Sequence, residues 1–205
     1  MRSPPLLPPP HPSPPLQRTT PQQQRGGSRR SDSTDFLPSD YGAPLVGWPG
    51  EWWLNTSSPN VRSIMLKRLD LAATKGCDGV DPDNIDGFKN DNGLNLTRAG
   101  AINYITFLSE AAHARNVSMG LKNRGDLVKE VIDEVEYAVN EQCVKYRECK
   151  IYQPLVASNK PVFHIEYEFD EFHHQRHRER RCLDADLRLQ AGRQFLHDFE
   201  KCVIG

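Results

Sequence analysis

Pro82 ends a strand. It has no amide hydrogen to give a ladder, and its ring disfavours helix at Asp81, so the apolar run before it stays short and extended. That run is Cys77, Gly79 and Val80, interleaved with Asp78. Asp81, Asp83 and Asp86 follow at once, placing four carboxylates within nine residues before Gly87 permits a sharp turn. Charges of one sign this close repel, so either water dilutes them or a site uses them. The stretch from Lys75 to Phe88 therefore reads as a strand that delivers acids to its C-terminal end.

The flanking chain repeats the arrangement. Val61, Ile64, Met65, Leu69, Ala72 and Ala73 follow helical spacing and predict a helix over 60–75, with Gly76 as its stop. Thr97 is a good N-cap for a second helix to about 115, with Ile102, Ile105, Leu108 and Ala112 on one face. A strand over 117–121 ends in Lys122 and Asn123, and a short helix is expected over 126–134. A strand over 137–139 ends in Asn140, Glu141 and Gln142, and a last one over 161–165 ends in Glu166 and Tyr167. Helices alternating with strands imply parallel strands joined by crossovers. Strand ends carrying polar residues, four times over, match the active-site face of a (β/α)8 TIM barrel. A doubly wound open sheet also gathers ligands at strand ends, but the Gly-rich phosphate turn of the nucleotide folds is missing.

The two ends differ from this middle. Eight prolines stand among the first fifteen residues, followed by a Gln run and scattered Arg and Ser. Such a segment buries too little apolar surface to offset its ordering entropy, so 1–40 is expected to be a disordered, partly polyproline II tail. Residues 41–59 read as a Trp-rich loop, and 41–170 as the domain. The segment 171–205 is basic and His-rich at first, then a possible helix over 185–202. A formal net charge of −1 argues against nucleic acid as a partner, since phosphate binding needs a basic surface. No apolar run is long enough to span a membrane, and the N-terminus lacks the apolar segment of a secretion signal. Against that, Asn55, Asn95 and Asn116 each open a glycosylation triplet. Cys143 and Cys149 could close a small loop in an oxidising compartment. The count of five cysteines is odd, so at least one lacks a partner within the chain.

Two carboxylates on facing strand ends can cleave a glycosidic bond, one as proton donor and the other as base or nucleophile. Asp83, or Asp81, pairs naturally with Glu141; Glu166 is a third acid, and Lys122 can tune whichever carboxylate it touches. Trp48, Trp52, Tyr104 and Tyr167 offer flat faces for sugar rings, with Trp53 read as core packing. The surplus of acid suits a cationic sugar. Asp78 and Asp86 read as solvated or capping, while Asp81 could instead hold its loop and Lys122 could merely fill the core as an ion-pair partner. The acids do not make a calcium loop, because Ile85 and Asn92 occupy positions that must be ligands. His173, His174, His177 and Cys182 could bind a metal but read as a solvated basic tail.

The strings W-P-G-E-W-W-L-N (48–55), R-L-D-L-A-A-T-K-G-C-D-G-V-D-P-D-N-I-D-G-F (68–88), L-K-N (121–123), A-V-N-E-Q-C (138–143) and P-V-F-H-I-E-Y (161–167) closely resemble glycoside hydrolase family 114. These are the endo-α-1,4-polygalactosaminidases, related to the spherulin 4-like proteins. The resemblance implies a TIM-barrel hydrolase, secreted by fungi or bacteria, that cuts galactosamine-rich polysaccharide without metal or organic cofactor. It places the acid pair on Asp83 and Glu141. Asp81, Lys122, Asn123, Glu166, Tyr167 and Trp48 become substrate contacts, with Asp81 standing where the family usually has the longer Glu. The family's opening strands are not found ahead of the W-P-G-E loop, so the barrel is expected to be incomplete and the chain N-terminally truncated. An extracellular monomer is implied. An exo-acting α-galactosidase, or a non-catalytic carbohydrate-binding or structural protein, would use the same rim.

Overall fold

The computed structural model describes residues 31–166. Its elements run β1 (Tyr41–Pro44), β2 (Trp52–Leu54), α1 (Pro59–Thr74), β3 (Gly79–Val80), α2 (Arg98–His113), β4 (Ser118–Lys122), α3 (Val128–Val131), β5 (Tyr137–Glu141), α4 (Cys143–Tyr146), α5 (Gln153–Ala157) and β6 (Val162–Ile165). The tail before residue 31 and the expected helix over 185–202 lie outside the described residues.

Strands β3, β4, β5 and β6 form one parallel sheet in chain order. Chain order without a reversal puts every crossover helix on the same face, because crossovers share one hand. A doubly wound sheet would instead reverse direction at a switch point. Among the described residues β3 and β6 are edges, so the sheet does not close on itself.

Strand alternation sorts the chain by face. Val80, Met119, Leu121 and Ala138 point to the helices and join one core with Val61, Met65, Leu69, Ile105 and Leu108. Leu69, Ile105 and Leu108 are almost fully buried, and each such side chain contributes about 1.5–3 kcal/mol. The in-register pairs Gly79 with Ser118, Gly120 with Tyr137, and Lys122 with Val139 occupy the opposite face. Tyr137 lays its ring across β4 and β3 there. A Cβ on Gly120 would overlap the ring and one on Gly79 would stand 2.9 Å from its hydroxyl, so these two strand glycines are spaces for that side chain.

The helix boundaries follow from local chemistry. Ser58 caps α1 by accepting from Val61 N–H, Pro59 fits its first turn, and Gly76 takes φ +74 just beyond its end. Thr97 caps α2 by accepting from Gly100 N–H. The helix expected over 126–134 is shorter: a 3-10 turn at Gly125–Leu127 leads into α3, which stops at Val131.

Two expectations for the front of the domain are corrected. Residues 41–59 contain an antiparallel hairpin, Tyr41 opposite Leu54 and Pro44 opposite Trp52. Its strands are too short, and too rich in Gly and Pro, to show alternation. Residues 31–40, expected within the tail, are tied into the domain. Asp40 is buried and accepts from Ser58 Oγ at 2.6 Å, Asn60 Nδ2 at 2.6 Å and Leu37 N–H at 2.8 Å. Asp32 pairs with Arg68 at 2.7 Å.

Candidate active site

Three rim residues meet at the C-terminal ends of β3, β4 and β5. Lys122 Nζ lies 3.5 Å from Asp83 Oδ2 and 3.9 Å from Glu141 Oε1. Those two oxygens can therefore be no further apart than the two spans laid end to end. That limit falls inside the range of about 5–10 Å over which paired glycosidase carboxylates are found.

A common backbone device aims these side chains. Asn84, Asn123 and Gln142 directly follow Asp83, Lys122 and Glu141, and take φ of 56, 56 and 62. Left-handed backbone costs a non-glycine residue about 1–2 kcal/mol. It turns the chain away where β4 and β5 end and again in the loop after β3, and non-glycine residues held this way concentrate at functional sites. At Glu141 the device is reinforced. Asn123 Nδ2 donates to Glu141 Oε2 at 2.6 Å, and Glu141 N–H donates to Asn123 Oδ1 at 2.8 Å.

Asp81 sits behind this group, 1 % exposed, with its Oδ1 unpaired among the described residues. Burial pushes its carboxyl up to about 7. Lys122 opposes that rise, while Asp83 and Glu141 add to it. A buried carboxyl with unmet hydrogen bonding takes a proton rather than stay charged.

A second polar group lies behind β5 and β6. Asn140 Oδ1 accepts from Cys143 N–H at 3.2 Å and faces His164 Nδ1 at 2.9 Å, and Asn140 Nδ2 donates to Tyr152 Oη. Glu166 Oε1 accepts from Val144 N–H at 2.9 Å and faces His164 Nε2 at 3.0 Å. The Cys143–Cys149 disulfide closes the loop that these contacts hold, as the spacing suggested.

The model of glycoside-hydrolase family GH114 matches residues 26–193. The chain belongs to glycoside-hydrolase family GH114. Among solved structures, the chain is similar to Aspergillus fumigatus Ega3 in complex with galactosamine. They are 59 % identical with a TM-score of 0.66, over 67 % of this chain and 55 % of that one. It also shares its fold with the glycoside hydrolase domain of PelA from Pseudomonas aeruginosa, at 13 % identity and a TM-score of 0.51. That match covers 70 % of this chain and 64 % of that domain. The chain thus spans little more than half of Ega3. No curated protein matches.

For this GH114 chain, the geometry brings together Asp81, Asp83, Lys122, Asn123 and Glu141. Glu166 is nearby in the sheet but bonded to the disulfide loop, not to Lys122. Trp48 is 59 % exposed on the β1–β2 loop, where Gly47 and Gly50 take positive φ. Tyr104 is buried on α2 against Phe107 rather than at the rim. Trp53 is buried, as core packing requires. Asp86 meets Arg124 at 3.7 Å. Tyr167 and the candidate ligands His173, His174, His177 and Cys182 lie outside the described residues.

Sequence reasoning missed Tyr137 and its two glycines, although glycine inside a strand signals close approach. It also missed the left-handed residues, whose signal at Asn84 and Asn123, though not at Gln142, was an Asn directly after an acid or Lys.

Proposed function

We propose that this GH114 chain carries the catalytic rim of a glycosidase that cuts α-1,4-linked galactosamine polysaccharide, using Asp83 and Glu141. The rim belongs to a partial TIM-type barrel. The single observation that carries this reading is Lys122 standing between the two carboxylates. One carboxyl, as the acid, gives its proton to the leaving glycosidic oxygen. The other, as the anion, attacks the anomeric carbon or draws a proton from the attacking water. The Lys122 ammonium lets two carboxylates share one small site, and Asn123 fixes the rotamer of Glu141.

The charge count favours an aminosugar. Three carboxyl groups stand around one ammonium, so oxygen acceptors for a protonated sugar amine outnumber the cation that competes for them. The solved Ega3 structure holds galactosamine, which supports the same sugar here. Lys122, Asn123 and Asp81 would line the subsite, with Glu166, Tyr167 and Trp48 as further contacts along a polymer. The protein acts outside the cell as a monomer.

The test is to incubate the purified chain with de-acetylated galactosaminogalactan and look for shorter oligomers by mass spectrometry. Wild type should release them, while Asp83→Asn and Glu141→Gln should each release at least about 1000-fold less, the scale of losing an acid–base group. Release that persists in both variants would sink the assignment. Binding of the polymer without release would instead mark a carbohydrate-binding module.

A further inference from the structure

Three Asn-x-Ser/Thr triplets are left over by the proposed chemistry, and the structure treats them differently. Asn55 is half-buried, and its Oδ1 accepts from both Ser57 N–H at 3.2 Å and Ser57 Oγ at 2.6 Å. Its backbone is also committed, donating to Asp40 O at 2.8 Å and accepting from Ser58 N–H. Asn95 and Asn116 are exposed, and among the described residues neither carboxamide makes a hydrogen bond.

Turn chemistry explains part of this. Both asparagines hold left-handed backbone, with φ of 52 and 56, and Asn tolerates that conformation better than most residues. Thr97 has its own structural task as the N-cap of α2. Ser118 does not. It opens β4, where serine has no special merit, and its hydroxyl makes no hydrogen bond among the described residues. The third position of the Asn116 triplet therefore lacks a folding reason.

We propose that Asn116 and Asn95 are N-glycan acceptors and that Asn55 is not. The donor is a lipid-pyrophosphate-linked oligosaccharide of the eukaryotic secretory route. Nδ2 bonds to the anomeric carbon of the first sugar as the bond from that carbon to the pyrophosphate oxygen breaks. Nδ2 loses one proton, and the lipid pyrophosphate departs. The two sites bracket α2. Asn95 lies on the loop from β3 into α2, at the end of the sheet where the acids stand, beside a polar hollow lined by Asn55, Ser57, Arg62 and Asn103. Asn116 lies at the opposite end, one strand length from Lys122. A glycan there leaves the rim open.

The test is independent of activity. The full chain is expressed behind a cleavable secretion leader in yeast and treated with peptide-N-glycosidase. Two glycan-sized steps are expected on a gel. Asn116→Gln and Asn95→Gln should each remove one, the double variant both, and Asn55→Gln none. Ser118→Thr should keep the Asn116 step, whereas Ser118→Ala should lose it. Glycan attachment is read on total cell protein, so a variant that folds poorly still reports. A variant of Asn116 or Asn95 that leaves the pattern unchanged overturns the assignment of that residue. A step lost in Asn55→Gln overturns the exclusion of Asn55.

Discussion

Asn123 and Glu141 hold each other twice: the Asn123 amide donates to the Glu141 carboxylate at 2.6 Å, and the Glu141 backbone N–H donates back to Asn123 Oδ1 at 2.8 Å. One side chain thus sets both the rotamer of the acid and the path of its backbone. Asn123 has a positive φ of 56, so backbone and side-chain effects must be separated by the choice of variant. Asn123→Gly keeps the turn and removes both bonds. Asn123→Asp keeps the shape but turns a donor toward Glu141 into an anion. Hydrogen bonds to charged groups contribute about 1.5–3 kcal/mol, so Asn123→Gly should lower kcat by roughly 10- to 100-fold, with Asn123→Asp worse. An Asn123→Asp enzyme with unchanged kcat would refute the positioning role.

Lys122 forms ion pairs with both Asp83 and Glu141. Lys122→Met removes the charge and keeps most of the stem, leaving two carboxylates facing each other. Asp83 is about a third exposed, so losing the cation costs less than the roughly 3–5 kcal/mol of a fully buried pair. The variant should therefore unfold at a clearly lower urea concentration and lose activity on galactosamine polymer. Lys122 also restrains the upward push on Asp81, so Asp81 should hold its proton to higher pH in this variant. Equal urea midpoints for wild type and Lys122→Met would remove the ion group from the account.

Much of this arrangement was legible because it rests on short-range rules. Thr97 announced a helix start, Gly76 a helix stop, and Pro82 the end of β3. The acids were found because each stands at the point where an apolar run stops. The hairpin of Tyr41–Pro44 with Trp52–Leu54 was not legible, because strands of four and three residues show no period. The split between Asn123 as a rigid support and Asn123 as a sugar contact was also hidden. It depends on Glu141 arriving from a neighbouring strand 18 residues away.

Asp40 extends the domain further forward than composition suggested. Its carboxylate takes three hydrogen bonds, from Leu37 N–H, Ser58 Oγ and Asn60 Nδ2. Burial alone would push its carboxyl up, but these donors outweigh it and hold it below the usual range. Asp40→Ala strands a backbone N–H and two side-chain donors at the start of α1, each worth about 1–3 kcal/mol when left unpaired. A loss on the order of 3 kcal/mol in a urea titration is expected. Deletion of residues 31–40 should cost at least as much. A deletion variant as stable as the parent would return those residues to the tail.

Asp81 gives stability a pH dependence of unusual sign. Its carboxyl is pushed from 3.8 up to about 7, chiefly by burial, so the folded chain binds the proton more tightly than the unfolded one. The contribution is fully present below pH 4 and is lost as pH rises through about 7. Its size is on the order of 4 kcal/mol, since each pKa unit corresponds to about 1.4 kcal/mol. Ordinary paired acids such as Asp126, held below the usual range with Lys89 and Arg124 outweighing its burial, act in the other direction and at lower pH. Asp81→Asn cannot ionise, so it isolates the effect: between pH 4 and 8 its urea midpoint should change less than that of wild type, and at pH 8 it should be the more stable protein. Asp81→Glu, which lengthens the acid by one methylene, should keep a titration while changing the packing around Lys122. If wild type and Asp81→Asn lose stability in parallel from pH 4 to 8, Asp81 is not the buried acid that this geometry makes it.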